Sequence, residues 1–188
     1  MVEELEREFD HATIVRMKYS LTKPQDISRM CFVCGEENPL SLHAKFYETD
    51  EGELVGIFET GEQHQSYPGR VHGGVSAAIL DEIIGRSAMI IDPDMWGVTV
   101  ELTTKYRRPV PYGRPITARG RITREQSRMF EGTGEIVLDD GTVAVEAKGR
   151  YLKLPLESIN QSDDNDVAEE MRADTRPMPR TLEIGSCR

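Results

Sequence analysis

Asp81 lies inside an apolar stretch that runs from about Val75 to Ile91. At 3.6 residues per turn this stretch reads as a helix with apolar side chains almost all the way round, so it is buried on most sides. The neighbours of Asp81 at three and four residues are Ala77, Ala78, Ile84 and Gly85, and none is a cation. Ala77, Ala78, Gly85 and Ala88 make the face around Asp81 the small-residue side of the helix. A buried carboxylate without a partner is costly. Something from outside the helix therefore meets it: a side chain, water, another subunit or a substrate. A structural aspartate capped by a distant arginine satisfies the same rule. Glu82 and Arg86 are spaced to pair with each other and read as a solvated or subunit-edge salt bridge.

The turn Gly69-Arg70-Val71-His72-Gly73-Gly74 leads into this helix. Two glycines at a helix start let the backbone approach a ligand closely. The free N–H groups of the first turn point outward with the positive end of the helix dipole behind them, an arrangement that can hold a developing oxyanion. A plain tight turn is the simpler reading of Gly-Gly alone. His72 reads as a residue that fixes the turn rather than as a base. A Ser76/His72/Asp81 triad can be written down, but no spacing supports it.

Cys31 and Cys34 form a C-x-x-C, and Cys187 stands near the C-terminus. Structural zinc sites use four ligands and the only candidate nearby in sequence is His43, so two reduced thiols and no metal are expected, with a zinc site or a redox pair as the alternatives. With a net charge of −10 the chain carries no electrostatic footprint for nucleic acid. It does carry a local basic cluster: Lys105, Arg107, Arg108, Arg114, Arg119, Arg121, Arg124 and Arg128. For any one of these a solvated sheet face is the simpler reading, but together they could hold an anionic substrate. The acidic N-terminus lacks the apolar core of a secretory signal, and Asp81, Glu82 and Arg86 interrupt the longest apolar stretch. A cytoplasmic protein with no membrane association is expected.

Three segments position these residues. Residues 1–30 form an N-terminal extension with a helix expected from Glu3 to Lys18. Residues 31–154 form the compact domain. Residues 155–188 are polar and read as a mobile tail with one short helix near Val167–Arg172, because that composition cannot order itself alone. Within the domain the pattern is strand, strand, helix, four strands. Leu42, Ala44 and Phe46 alternate with polar residues, as do Leu54, Gly56 and Phe58. Val98, Val100, Leu102 and Tyr106 are expected on one strand face with Thr99, Glu101, Thr103 and Lys105 on the other. Ile116, Ala118, Gly120 and Ile122 line the next strand, and Asp139-Asp140-Gly141 turns a final hairpin toward Val143, Val145, Ala147 and Tyr151. One long helix against a mainly antiparallel sheet of five to six strands is an α+β arrangement.

The stretch from His72-Gly73-Gly74 to Asp81 resembles the HGG-x(6)-D signature of hotdog-fold acyl-CoA thioesterases of the 4-hydroxybenzoyl-CoA thioesterase superfamily, in particular its PaaI-like branch. Cys31-Phe32-Val33-Cys34-Gly35 with Asn38-Pro39 is similar to that family's lead-in. Val98 through Tyr106-Arg107-Arg108-Pro109 is similar to the strand after its helix. The resemblance spans roughly Cys31 to Leu154. It implies a hotdog fold and a homodimer, or a dimer of dimers, whose active sites span the subunit interface. It implies that the Gly73 N–H, with Gly74 beside it, polarises a thioester carbonyl, and that Asp81 of the partner subunit attacks it or activates water. Thr99 falls near the attacking water. Ser66, with Gln65 and His64 beside it, stands where relatives place an amide side chain. Arg107, Arg108 and Arg128 are candidates for the CoA phosphates. No cofactor beyond the CoA of the substrate is implied. The alternative is a hotdog module that binds or senses acyl-CoA without turnover; a hotdog dehydratase would want His72 paired with Asp81, which the spacing does not place.

Overall fold

The computed structural model describes residues 14–155, 158 and 170–187. In chain order the strands are β1 (Ile14–Pro24), β2 (Ile27–Ser28), β3 (Lys45–Thr49), β4 (Leu54–Phe58), β5 (Gln65–Tyr67), β6 (Arg70–Val71), β7 (Met95–Tyr106), β8 (Ile116–Glu125), β9 (Met129–Val137), β10 (Val143–Pro155), β11 (Met171–Arg172) and β12 (Thr181–Cys187). The helix α1 (Gly73–Arg86) follows β6 and continues as a 3-10 turn, Ser87–Ile90. The main sheet runs β12-β1-β3-β4-β8-β9-β10-β7, with every neighbouring pair antiparallel. Six of its strands come from the expected compact domain.

The alternation read from the sequence decides what lies under the helix. Leu42, Ala44, Phe46, Leu54, Phe58 and Ala118 are all fully buried, together with Ile79, Leu80, Ile83 and Ile84 of α1. The helix sits close because the strands beneath it carry glycine where it crosses. A Cβ at Gly132 would come within 2.6 Å of Ile84 Cγ2, and one at Gly134 within 2.9 Å of Ile84 Cγ1.

The ends of the chain differ from expectation. The helix expected over Glu3 to Lys18 is replaced by β1 from Ile14 onward, and its earlier part lies outside the described residues. Of the helix expected near Val167–Arg172, residues 167–169 lie outside the described residues, Glu170 is helical, and Met171–Arg172 is strand β11, paired with β2. The last segment does not stand apart as a mobile tail. Its β12 pairs with β1 along seven positions from Ile14↔Cys187 to Ser20↔Thr181. Arg176 ties it further by donating to Ala44 O at 2.8 Å and to the Asp174 carboxylate. Polar segments with few apolar residues can order by borrowing backbone hydrogen bonds from an existing strand, which composition alone does not reveal. These strands cover a second, smaller core of Tyr19, Leu21, Tyr47, Val55, Val137 and Ile184.

The covering strands also change the reading of the sheet arginines. Arg119 is not solvated: its side chain is only 18% exposed, bound to Glu135 and to the Tyr19 hydroxyl. Arg121 stays exposed and pairs with Glu53 at 2.8 Å. Among the described residues no helix is long and apolar enough to cross a membrane.

Replacing Gly132 with Val should push Ile84 off its seat. The expected cost is about 1–3 kcal/mol of stability, read from the midpoint of urea unfolding; an unchanged midpoint would show that the helix does not depend on this close approach.

Candidate active site

Asp81 finds its partners on two neighbouring strands. Thr99 Oγ1 of β7 donates to Asp81 Oδ1 at 2.9 Å, and the Tyr151 hydroxyl of β10 donates to the same oxygen at 3.0 Å. Among the described residues Oδ2 accepts no hydrogen bond. Thr99 and Tyr151 are register partners across the β7–β10 ladder, so the two donors arrive side by side.

That register contains an irregularity. Tyr151 pairs with Thr99 and Arg150 with Glu101, leaving Val100 as an extra residue in a β-bulge. The strict alternation expected for this strand therefore breaks at Val100, which is 53% exposed. Thr99 faces the helix before the bulge, and Tyr106 faces it after, although seven residues separate them. Bulges re-aim side chains in this way. The expectation that Val98, Val100, Leu102 and Tyr106 share one face is corrected accordingly.

Tyr151 was not singled out as a site residue by the sequence. Its ring is fully buried and stacks on Phe130 at 4.9 Å, nearly parallel. Burial, and then the Asp81 carboxylate, hold its hydroxyl far above the usual tyrosine range, so it serves as a donor. The space for the rings comes from Gly97, where a Cβ would lie 2.7 Å from Phe130 and 3.3 Å from Tyr151. A pocket of about 80 Å³ opens beside Asp81, walled by Met89, Met95, Trp96 and Tyr151.

The turn before the helix behaves as a cap. His72 Nδ1 accepts from the Gly74 N–H at 2.9 Å, and its carbonyl accepts from Val75 and Ser76. Its ring thus fixes the turn. The Gly73 N–H has no hydrogen-bond partner among the described residues, while the Gly73 carbonyl accepts from the Tyr106 hydroxyl at 2.8 Å. Gly73 opens onto a groove of about 360 Å³ whose walls include Ser66, Arg70, Tyr106, Arg107 and Arg108.

Not every expected residue gathers here. Ser66 lines the groove, whereas Gln65 does not and accepts instead from the Tyr112 hydroxyl. His64 is buried and holds the loop, bonded to the Gly61 N–H and the Leu40 carbonyl. Arg128 lies in the turn between β8 and β9 and does not line the groove. Arg70, Tyr67 and Tyr106 do line it and were not expected. The Glu82–Arg86 pair forms at 2.6 Å, but it is not a solvated bridge: the Arg86 side chain is 6% exposed, seated on the Phe46 ring and bonded to Asp26 O.

A long helix capped by a His-Gly-Gly turn and wrapped by six antiparallel strands is a hotdog fold. Residues 68–145 match the family described as Thioesterase superfamily. Acyl-coenzyme A thioesterase THEM4 of Mus musculus is 28% identical over 113 residues, covering 60% of this chain and 48% of that protein. Acyl-coenzyme A thioesterase 13 of Homo sapiens is 24% identical over 102 residues, 54% of this chain and 72% of that protein. The chain spans about half the length of the THEM4 relatives it matches. Among solved structures, a thioesterase superfamily protein is 32% identical with a TM-score of 0.61, covering 67% of this chain and 61% of its own. The E. coli PaaI protein from the phenylacetic acid degradation operon, 18% identical with a TM-score of 0.54 over 60% of this chain and 80% of its own, shares the fold. Fold, motif and matches together give the chain a hotdog fold, with residues 68–145 matching the thioesterase superfamily.

The Tyr151–Asp81 bond has a spectroscopic signature. Removing the charge in Asp81→Asn removes one of the causes that raise the Tyr151 phenol. One tyrosine of the variant should therefore ionise at lower pH than in the native protein when followed by ultraviolet absorbance; identical titration curves would contradict the contact.

Proposed function

We propose that this protein hydrolyses an acyl-CoA thioester, and that each active site takes Gly73 from one copy and Asp81 from another. The observation that carries the reading is the division of labour along one helix. A helix start with an unengaged N–H faces an arginine-bordered groove, and a carboxylate oriented through one oxygen faces a separate pocket. Eight residues of helix separate them, which is roughly 12 Å along the axis. A carbonyl oxygen within hydrogen-bond reach of Gly73 is out of reach of Asp81 in the same chain.

A second copy supplies what is missing. Strand β7 stands at the end of the sheet with twelve residues and, among the described residues, one unpaired edge. A long edge with exposed Val100 and Tyr106 is a template for pairing with another strand. Joining two such edges gives a continuous sheet and a symmetric dimer, in which the two helices can lie side by side in opposite directions. Asp81 of the partner subunit then stands near Gly73.

The chemistry follows from the atoms. The Gly73 N–H, backed by the helix dipole, donates to the carbonyl oxygen and stabilises the tetrahedral oxyanion. Thr99 and Tyr151 occupy Asp81 Oδ1 and leave Oδ2 to take a proton from an attacking water. The oxyanion collapses and expels the CoA thiolate, whose low basicity makes it a competent leaving group. Arg70, Arg107 and Arg108 border the groove through which the CoA phosphates would run. Met89, Met95 and Trp96 offer an apolar wall for the acyl group.

Asp81→Ala should lower the hydrolysis of a panel of short, long and aryl CoA esters by on the order of 10²–10⁴-fold. The dimer should stay folded, and full activity in the variant would sink the mechanism. Binding of the esters by the native chain with no turnover would favour a sensing module instead.

A subunit-mixing experiment tests the shared site. Gly73→Pro removes the N–H at a first helical position where proline is tolerated. Asp81→Ala and Gly73→Pro homodimers should each be inactive, and refolding them together should restore part of the activity. Absence of any recovery in verified mixed dimers would show that each site lies within one chain.

A further inference from the structure

Cys31, Cys34 and Glu82 meet at the base of the helix, outside the proposed chemistry. Their Sγ atoms and one carboxylate oxygen all lie within 4.8 Å of one another. The cysteines belong to a tight turn closed by the Gly35 N–H on the Cys31 carbonyl at 2.8 Å. The sulfurs are surrounded by donors. The Val33 N–H donates to Cys31 Sγ at 3.3 Å, and the Ser28 N–H and Arg86 Nη2 each donate to Cys34 Sγ at 3.3 Å. Donors aimed at sulfur stabilise thiolate, the form that binds a metal. A buried thiol that only fills space needs none of them. Glu82 spends Oε1 on Arg86 Nε at 2.6 Å, and among the described residues its second oxygen accepts no hydrogen bond.

We propose that Cys31, Cys34 and Glu82 form a zinc site, with water in the fourth position. A tetrahedral zinc with Zn–S near 2.3 Å and Zn–O near 2.0 Å holds its ligand atoms roughly 3.5–3.8 Å apart, within the observed spread. Two sulfur ligands select zinc over magnesium or calcium. The charges also balance: two thiolates and a carboxylate against a divalent ion and the buried Arg86 guanidinium leave no net charge in the interior. The ion ties the turn that leads into the domain to the helix, one residue from Asp81. The site could not be found by spacing around the cysteines, because the third ligand lies far along the chain and is already engaged by Arg86. His43, the nearby candidate, does not join the cluster.

The test is a cobalt titration of the full chain, reduced and stripped of metal. A thiolate-to-cobalt charge-transfer band with tetrahedral d–d absorbance should saturate at one equivalent and be bleached by added zinc. Cys31→Ser and Cys34→Ser should lose the band, Glu82→Gln should weaken cobalt affinity by about tenfold or more, and Cys187→Ser should leave both unchanged. Circular dichroism checks that each variant is folded. The proposal is overturned by the absence of a charge-transfer band in the reduced native chain. It is equally overturned by a band that survives loss of either Cys31 or Cys34, or by unaltered affinity in folded Glu82→Gln. A native preparation whose cysteines form a disulfide, and which binds no cobalt after reduction, points to redox chemistry instead.

Discussion

A carboxylate packed between a helix and a sheet must be given donors, and the bond from Tyr151 to Asp81 is where this protein meets that demand. The tyrosine ring reaches the helix only because Gly149 and Gly97 leave room for it and for Phe130, which stacks against it. Thr99 reaches the same oxygen only because the ladder places it opposite Tyr151. The position of the carboxylate is thus set by the sheet, and the helix merely carries it. Had both donors come from the helix itself, Asp81 would be oriented toward its own turn rather than toward the pocket beside it.

The fold was legible because period-two burial is a strong signal. Leu42, Ala44, Phe46, Leu54 and Phe58 announce half-buried strands, and the apolar run after the glycines announces a buried helix. The demand of Asp81 for an outside partner was legible too, since nothing within one turn of helix could serve it. The identity of that partner was only half legible. Thr99 came from a resemblance, while Tyr151 was read as one more inward-facing residue of its strand. The bulge at Val100 was hidden because an inserted residue looks like any other valine in a β-rich run. Arg86 was misread for a similar reason: pairing at four residues says nothing about depth, and only the Phe46 ring and the Asp26 carbonyl show that the guanidinium is interior.

The termini illustrate a different limit. Composition describes whether a segment can bury enough of its own surface, and by that measure the last residues could not. They order by pairing β12 with β1 and by anchoring Arg176 on Asp174 and the His43–Ala44 backbone. The covered sheet face then becomes a second packed layer around Tyr19 and Tyr47, with Arg119 clamped between Glu135 and Tyr19.

The spacing of Gly73 and Asp81 on one helix has a consequence for how such a protein behaves in a cell or a cuvette. A site divided between two chains does not exist in either one alone. On that reading its catalytic competence is a matter of mass action, governed by the dissociation constant of the pair. Dilution would silence it without unfolding anything, and abundance itself would become a control on turnover.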